Sequence, residues 1–177
     1  MTRQPTFFLA GIVQGSLAGQ SIADQSYRAE LRRVVINHFP NAVVHCPVTK
    51  LHAKYSGTES QVASAFSSLN TEGPLQRSQY PAVVASVAAS FCEFVDLAGE
   101  CDVLIAYLPG HEASMGTAME LWSAFKHDRI IVVISTMTQH LAVLATATAV
   151  VRSIEELGEV LGSRWFHQVL ERDGDER

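Results

Sequence analysis

Long apolar runs, clustered cations and paired cysteines are all missing from this sequence, and each absence removes a class of protein. No stretch reads as the roughly 20 apolar residues of a membrane span, and the first apolar segment is too short for a signal peptide. A soluble, cytoplasmic protein without membrane partners is expected. The three cysteines (Cys46, Cys92 and Cys101) form no CxxC pair, which reads as reduced thiols rather than a disulfide scaffold. Seven histidines fall into no ligand spacing such as HxxxH, so neither a metal nor another cofactor is expected. Charge is sparse at 18%, and 13 Lys and Arg against 18 Asp and Glu leave a net −5. With no Lys/Arg block, a nucleic acid polymer is excluded as the main partner, because phosphate backbones are held by clustered cations.

What is present is apolar. Hydrophobic residues make up 47% of 177 positions, enough to close one sizeable core. Thr6 to Val13, Ala42 to Cys46, Asp102 to Leu108, Arg129 to Ile134 and Ala147 to Val151 are short, nearly continuous apolar runs. Such runs belong to strands buried on both faces of a parallel sheet. Between them, Asp24 to Phe39, Pro81 to about Ala98 and Ser114 to about His127 carry helical signals, and Ser153 with Glu156 opens another helix with a capping-box pattern. The expectation is an α/β, three-layer, doubly wound (flavodoxin/Rossmann-like) fold with five parallel strands in the order 2-1-3-4-5. Residues 1–172 form a single domain, 48–80 a polar lid or insertion, and 173–177 a charged flexible tail.

Ligands in such sheets bind beyond the carboxyl ends of the strands, where strand order reverses. Two loops fall there. The first holds Gly11, Gln14, Gly15 and Ser16; it is either an ordinary turn or a glycine loop whose N–H groups approach an anion. It has neither the Walker A nor the GxGxxG pattern. The second puts Ser114, Gly116 and Thr117 at a helix start, where free N–H groups favour negative charge. Glu120 follows on that helix. Ala118, Leu121, Trp122 and Phe125 form an apolar stripe from which Glu120 points away. Glu120 is either a solvated helix glutamate or a carboxylate reached by a ligand past small neighbours.

Asp102-Val-Leu-Ile-Ala-Tyr-Leu, followed by Ser114-Met-Gly116-Thr-Ala-Met-Glu120-Leu-Trp-Ser-Ala, resembles the signature of the nucleoside 2-deoxyribosyltransferase-like superfamily. That signature is a D-x-x-x-A strand and then S/D-x-G-x-x-x-E-L-x-x-A. Phe8-Leu-Ala-Gly11-Ile-Val-Gln-Gly15 is similar to its opening strand and glycine loop. The resemblance implies that Glu120 attacks the anomeric carbon of a nucleoside or nucleoside 5′-monophosphate, as a carboxylate can capture an oxocarbenium-like centre. It implies that Ser114 and Gly116 face a 5′-phosphate, and that the first loop, with Thr117, holds sugar and phosphate. Gln14 stands where phosphate-binding members carry Arg, and Phe94 where members carry Asp. Asp96 or Glu93 is the substitute acid for the leaving base, Asp96 being preferred.

The expected function is N-glycosidic bond cleavage or deoxyribosyl transfer. The alternative is a non-catalytic nucleotide-binding or sensing module on the same fold. The resemblance also implies a homodimer or higher homo-oligomer, in keeping with the apolar surplus. His45, His52, Lys54, Tyr55 and His140 are weaker candidates for contacts to base or sugar. His111 and Glu112 read as loop surface, and Cys101 as packing.

Overall fold

The computed structural model describes residues 4–13, 23–69, 73–112 and 114–175, with side chains to 172. The strands are β1 (Thr6–Gly11), β2 (Val43–His45), β3 (Val103–Leu108), β4 (Ile130–Ser135) and β5 (Ala149–Val151). The helices are α1 (Tyr27–His38), α2 (Pro47–Tyr55), α3 (Glu59–Ser67), α4 (Ala82–Glu100), α5 (Met115–Lys126), α6 (Leu141–Thr146), α7 (Ile154–Leu161) and α8 (Arg164–Asp175). The five strands are all parallel in the order β2-β1-β3-β4-β5, as the apolar runs led us to expect. Phe8 of β1 lies between His45 of β2 and Leu104 of β3, so strand order reverses at β1 and β3.

Alternation along the strands builds two cores, because successive side chains point to opposite faces. Phe8, Ala10, Leu104, Ala106, Ile131 and Val133 face α4, α5 and α6 through Phe94, Ala98, Leu121, Ala124 and Val143. Phe7, Leu9, Val103, Ile105, Val132 and Ile134 face α1, α7 and α8 through Leu31, Val35, Leu157, Leu161 and Phe166. Each such aliphatic or aromatic burial stabilises the fold by about 1.5–3 kcal/mol. At the amino end of the sheet, buried Asp102 joins β1 to β3: its Oδ2 accepts from the backbone N–H and the hydroxyl of Thr6, both at 2.7 Å. The signature aspartate therefore ties strands at the end of the sheet opposite the loops.

Several elements depart from the sequence reading. The segment 48–80, read as a polar lid or insertion, holds most of α2 and all of α3, followed by a short 3-10 turn at Arg77–Gln79. α6 was not anticipated; it spans only six residues, too few to show a period. The segment 173–177 begins inside α8, which runs to Asp175. Finally, α4 is long and apolar enough to cross a membrane by length and composition. Here that helix packs on α3 and α5 and buries Val84, Phe94 and Ala98.

Candidate active site

The carboxyl ends of β1 and β3 lie side by side, with Gly11 paired to Tyr107. Gln14, Gly15 and Ser16 fall outside the described residues. Of the described residues on either side of them, Ala23 N–H donates to the Val13 carbonyl at 2.7 Å, and Gln25 Nε2 to the Ile12 carbonyl at 2.9 Å. Those bonds deliver Tyr27 and Arg28, the first turn of α1, to the end of β1.

Across the sheet, Ser114 caps α5. Its Oγ accepts from the Thr117 N–H at 3.3 Å and lies 2.8 Å from Thr117 Oγ1. Gly116 sits against α4, where a Cβ would meet the Phe91 ring at 3.3 Å. Ser114, Gly116, Thr117 and Glu120 thus share the first half of one helix, beginning at the carboxyl end of β3.

Glu120 is buried, at 7% exposure. The sequence reading placed Ala118, Leu121, Trp122 and Phe125 on the inner stripe and Glu120 away from it. α5 is instead rotated so that Thr117, Glu120, Leu121 and Ala124 face inward, while Ala118 is exposed and Trp122 is 57% exposed. Both faces of this helix carry apolar residues, and the one with the smaller side chains fits under the sheet and beside α4. Burial pushes the Glu120 carboxyl up to about 8, opposed by the positive charge of Arg28. Among the described residues no hydrogen bond reaches that carboxylate.

Arg28 was not singled out in the sequence, yet it is only 6% exposed. Its Nε donates to Gln25 Oε1 at 2.6 Å, Nη1 to the Leu9 carbonyl at 2.7 Å, and Nη2 to the Gly11 carbonyl at 3.2 Å. Nη1 also lies 3.9 Å from Cys46 Sγ. A cation in the first turn of a helix opposes the helix dipole, and that unfavourable placement was the signal available in the sequence.

Tyr27 stacks on Tyr107 with ring centroids 4.3 Å apart, and its buried hydroxyl has no hydrogen-bond partner among the described residues. Burial, relieved by Arg28, pushes the phenol up to about 12, with Cys46, Glu120 and Tyr107 adding to the rise. Tyr27 therefore stays a neutral donor within the electrostatic reach of Glu120.

Other candidates are dispersed. Asp96 is exposed on α4, two residues from each of the buried Phe94 and Ala98. At about 100° per residue, that turns it away from the sheet, and the structure does not bring it to Glu120. Glu93 is exposed as well. Lys54 Nζ donates to Ser90 Oγ at 2.6 Å, and the Tyr55 hydroxyl bonds Ser86 Oγ at 2.8 Å, so both fasten α2 to α4. His45 is half-buried; burial and then Lys50 lower its pKa. His52, His111 and His140 are exposed. Cys101 is buried, and burial with the neighbouring Asp102 pushes its thiol up to about 12.

No family model and no curated protein matches the chain. Among solved structures there are likenesses of fold. One is to a 2-deoxyribosyltransferase from Bacillus psychrosaccharolyticus, with a TM-score of 0.56 and 10% identity over 93% of this chain and 95% of that one. A conserved protein from Enterococcus faecalis aligns at TM-score 0.49 and 20% identity over 90% and 98% of the two chains. A CMP N-glycosidase from Clostridium botulinum aligns at 0.42 and 13% over 88% and 97%. The fold implied by the sequence signature is thus the fold observed.

Proposed function

We propose that this protein cleaves or transfers the N-glycosidic bond of a nucleoside or nucleoside 5′-monophosphate, with Glu120 as the nucleophile at C1′. One observation carries the reading: a glutamate buried on the inner face of α5, at the strand-order reversal, with a buried arginine as its counter-charge. Buried carboxylates without a structural partner are costly, and functional sites are where such perturbed groups collect. The signature residues Ser114, Gly116 and Glu120 and the deoxyribosyltransferase fold support the same reading.

In the forward step a Glu120 carboxylate oxygen attacks C1′ and forms an ester as the C1′–N bond breaks. The bond pair leaves on the base nitrogen, which is protonated from water or a donor. Water then attacks C1′ for hydrolysis, or the nitrogen of a second base for transfer, and the carboxylate is restored. Positive charge developing at C1′ favours the ionised carboxylate, so bound substrate lowers the cost of charging Glu120. Asp96, turned to solvent, is given no role, and the proton for the base comes from water or from the substrate side.

The non-catalytic reading draws on the same displacement of Asp96, which leaves no carboxylic acid beside Glu120 among the described residues. Incubation with a panel of nucleosides and monophosphates, with and without an acceptor base, separates the two. Free base or exchanged nucleoside, lost in Glu120→Gln, supports the enzyme; binding without either supports the sensing module.

We further propose self-association through the outer face of α5 and α6. Met115 is 84% exposed, and Met119, Trp122, Phe125, Leu141 and Leu144 are exposed beside it. Contiguous apolar patches of this kind mark interfaces.

A further inference from the structure

We infer that Gln25 is a positioning residue of the site: its neutral amide fixes the Arg28 guanidinium without neutralising it, and so leaves that charge free to act on Glu120. The inference rests on the reading of Glu120 as the nucleophile and adds a residue that serves it through Arg28.

The geometry gives Gln25 two tasks. β2 ends at His45, opposite Phe8, so the carbonyls of Leu9 and Gly11 lie beyond the last paired residue of that strand. Arg28 takes its place there, with Nη1 on the Leu9 carbonyl and Nη2 on the Gly11 carbonyl. Finishing the strand edge needs only those two bonds. Gln25 adds a third, its Oε1 accepting from Arg28 Nε at 2.6 Å. Its Nε2 donates to the Ile12 carbonyl at 2.9 Å and the Ala23 carbonyl at 2.7 Å. One amide thus holds the guanidinium and the chain on either side of it.

The charge argument follows from what Gln25 is not. Arg28 is buried, and a buried cation ordinarily takes a carboxylate. Among the described residues its acceptors are instead an amide, two peptide carbonyls and the Cys46 sulfur. Position 25 suits an acid well. It reaches Arg28 Nε, and it lies just ahead of α1, where negative charge complements the helix dipole. Glutamine forgoes both gains and leaves the cation whole.

The acid that responds is Glu120. α5 packs on β1, Glu120 and Arg28 are both buried, and the Arg28 charge opposes the rise that burial imposes on the Glu120 carboxyl. It thereby favours the ionised form that attack at C1′ requires. Tyr27 faces both groups. With its phenol pushed up to about 12, it brings no charge of its own, and neither does Tyr107, stacked on it from β3.

The test follows the Glu120 carboxyl against pH by ¹³C NMR, its signal assigned by its loss in Glu120→Gln, and the Arg28 Nε–H by ¹⁵N NMR. In Gln25→Glu the introduced carboxyl pairs with Arg28, so it should titrate below the ordinary carboxylate range. The Glu120 midpoint should rise by about half a pH unit or more from its wild-type value near 8. Gln25→Met drops the bonds without adding charge. Its Arg28 Nε–H should lose protection from exchange, and its Glu120 midpoint should move less than in Gln25→Glu. The acid limb of kcat/KM should follow the same order, with wild type lowest.

A Glu120 midpoint unmoved in Gln25→Glu, or moved as far by Gln25→Met, overturns the inference. If Gln25→Glu fails to fold, the Arg28 Nε–H decides: equal protection in wild type and Gln25→Met overturns it, and protection in wild type alone supports it. Base release by none of the proteins overturns the proposed reaction and leaves the NMR comparison to judge the hold of Gln25 on Arg28. A midpoint that moves while the pH profile of base release does not overturns the role of Glu120 instead.

Discussion

The hydroxyl of Tyr27 occupies the space that a side chain at Gly11 would fill. β1 ends in a glycine at a position whose neighbours Phe7 and Leu9 carry large side chains on the same face. The gap admits the tip of a tyrosine from α1 to the end of the sheet, beside the reversal of strand order. Gly11→Ala is expected to lower stability by roughly 1–3 kcal/mol, the usual cost of overpacking. Adding Tyr27→Phe should return part of that loss, as a non-additive double-mutant cycle followed by urea unfolding. Strict additivity would show that the two residues do not compete for this space.

Glu120 sets a pH dependence whose sign is fixed. Its folded pKa, about 8, lies above the ordinary carboxylate value, so the folded state holds a proton that the unfolded chain has lost. This group's contribution is fully present below the unfolded pKa and disappears as pH rises towards and through 8, by at most about 1.4 kcal/mol per pH unit. Glu120→Gln removes the dependence, so its stability relative to wild type should improve between pH 5 and pH 9. A constant difference across that range would contradict the burial argument. For catalysis the ionised form is needed, and kcat/KM should rise with pH to a plateau above about 8.

Arg28 lowers the Glu120 pKa and binds three oxygen acceptors at the end of β1. Arg28→Met removes the bonds to the Leu9 and Gly11 carbonyls and should cost about 2 kcal/mol. In whatever fraction remains folded, the acid limb of kcat/KM should move to higher pH. Arg28→Lys keeps the charge, so it should restore much of the limb's position while recovering less stability, since lysine lacks the planar fork. An unmoved limb in Arg28→Met would remove Arg28 from the electrostatics of the site.

Ser114→Ala should destabilise α5 by about 1 kcal/mol through loss of the cap on Thr117. Where the cap is structural alone, affinities for nucleoside and monophosphate change by the same factor. A monophosphate-specific loss of affinity would instead place the phosphate at this helix start.

Trp122→Glu with Met119→Glu puts charge on the exposed face of α5. Sedimentation should then show a monomer where the wild type is an oligomer, with the Tm changed by less than the dissociation alone accounts for. A monomeric wild type would contradict the proposed interface.

The sheet was legible because its strands are buried on both faces and read as unbroken apolar runs; β3 and β4 are the clearest cases. The residue pattern around Ser114 and Glu120 falls on α5, a helix that begins after the carboxyl end of β3, as its spacing suggested. The rotation of that helix was not legible, since 118, 122 and 125 are as apolar as 121 and 124. Arg28 was hidden for a related reason. A charged residue off the apolar stripe reads as solvent-facing, and only the carbonyls of β1 and the carboxylate of α5, distant in sequence, explain its burial. α2 and α3 bury almost nothing of their own, Pro47 apart, and so left only a weak period around Gln61 to Leu69.

Release of free base from a nucleoside panel by wild type and Glu120→Gln, followed by chromatography at pH 8.5, tests the central claim most directly. The account predicts base release by wild type from at least one nucleoside, and none above background from a folded Glu120→Gln. Equal release by the two proteins, or none by wild type from any nucleoside or monophosphate, would contradict it.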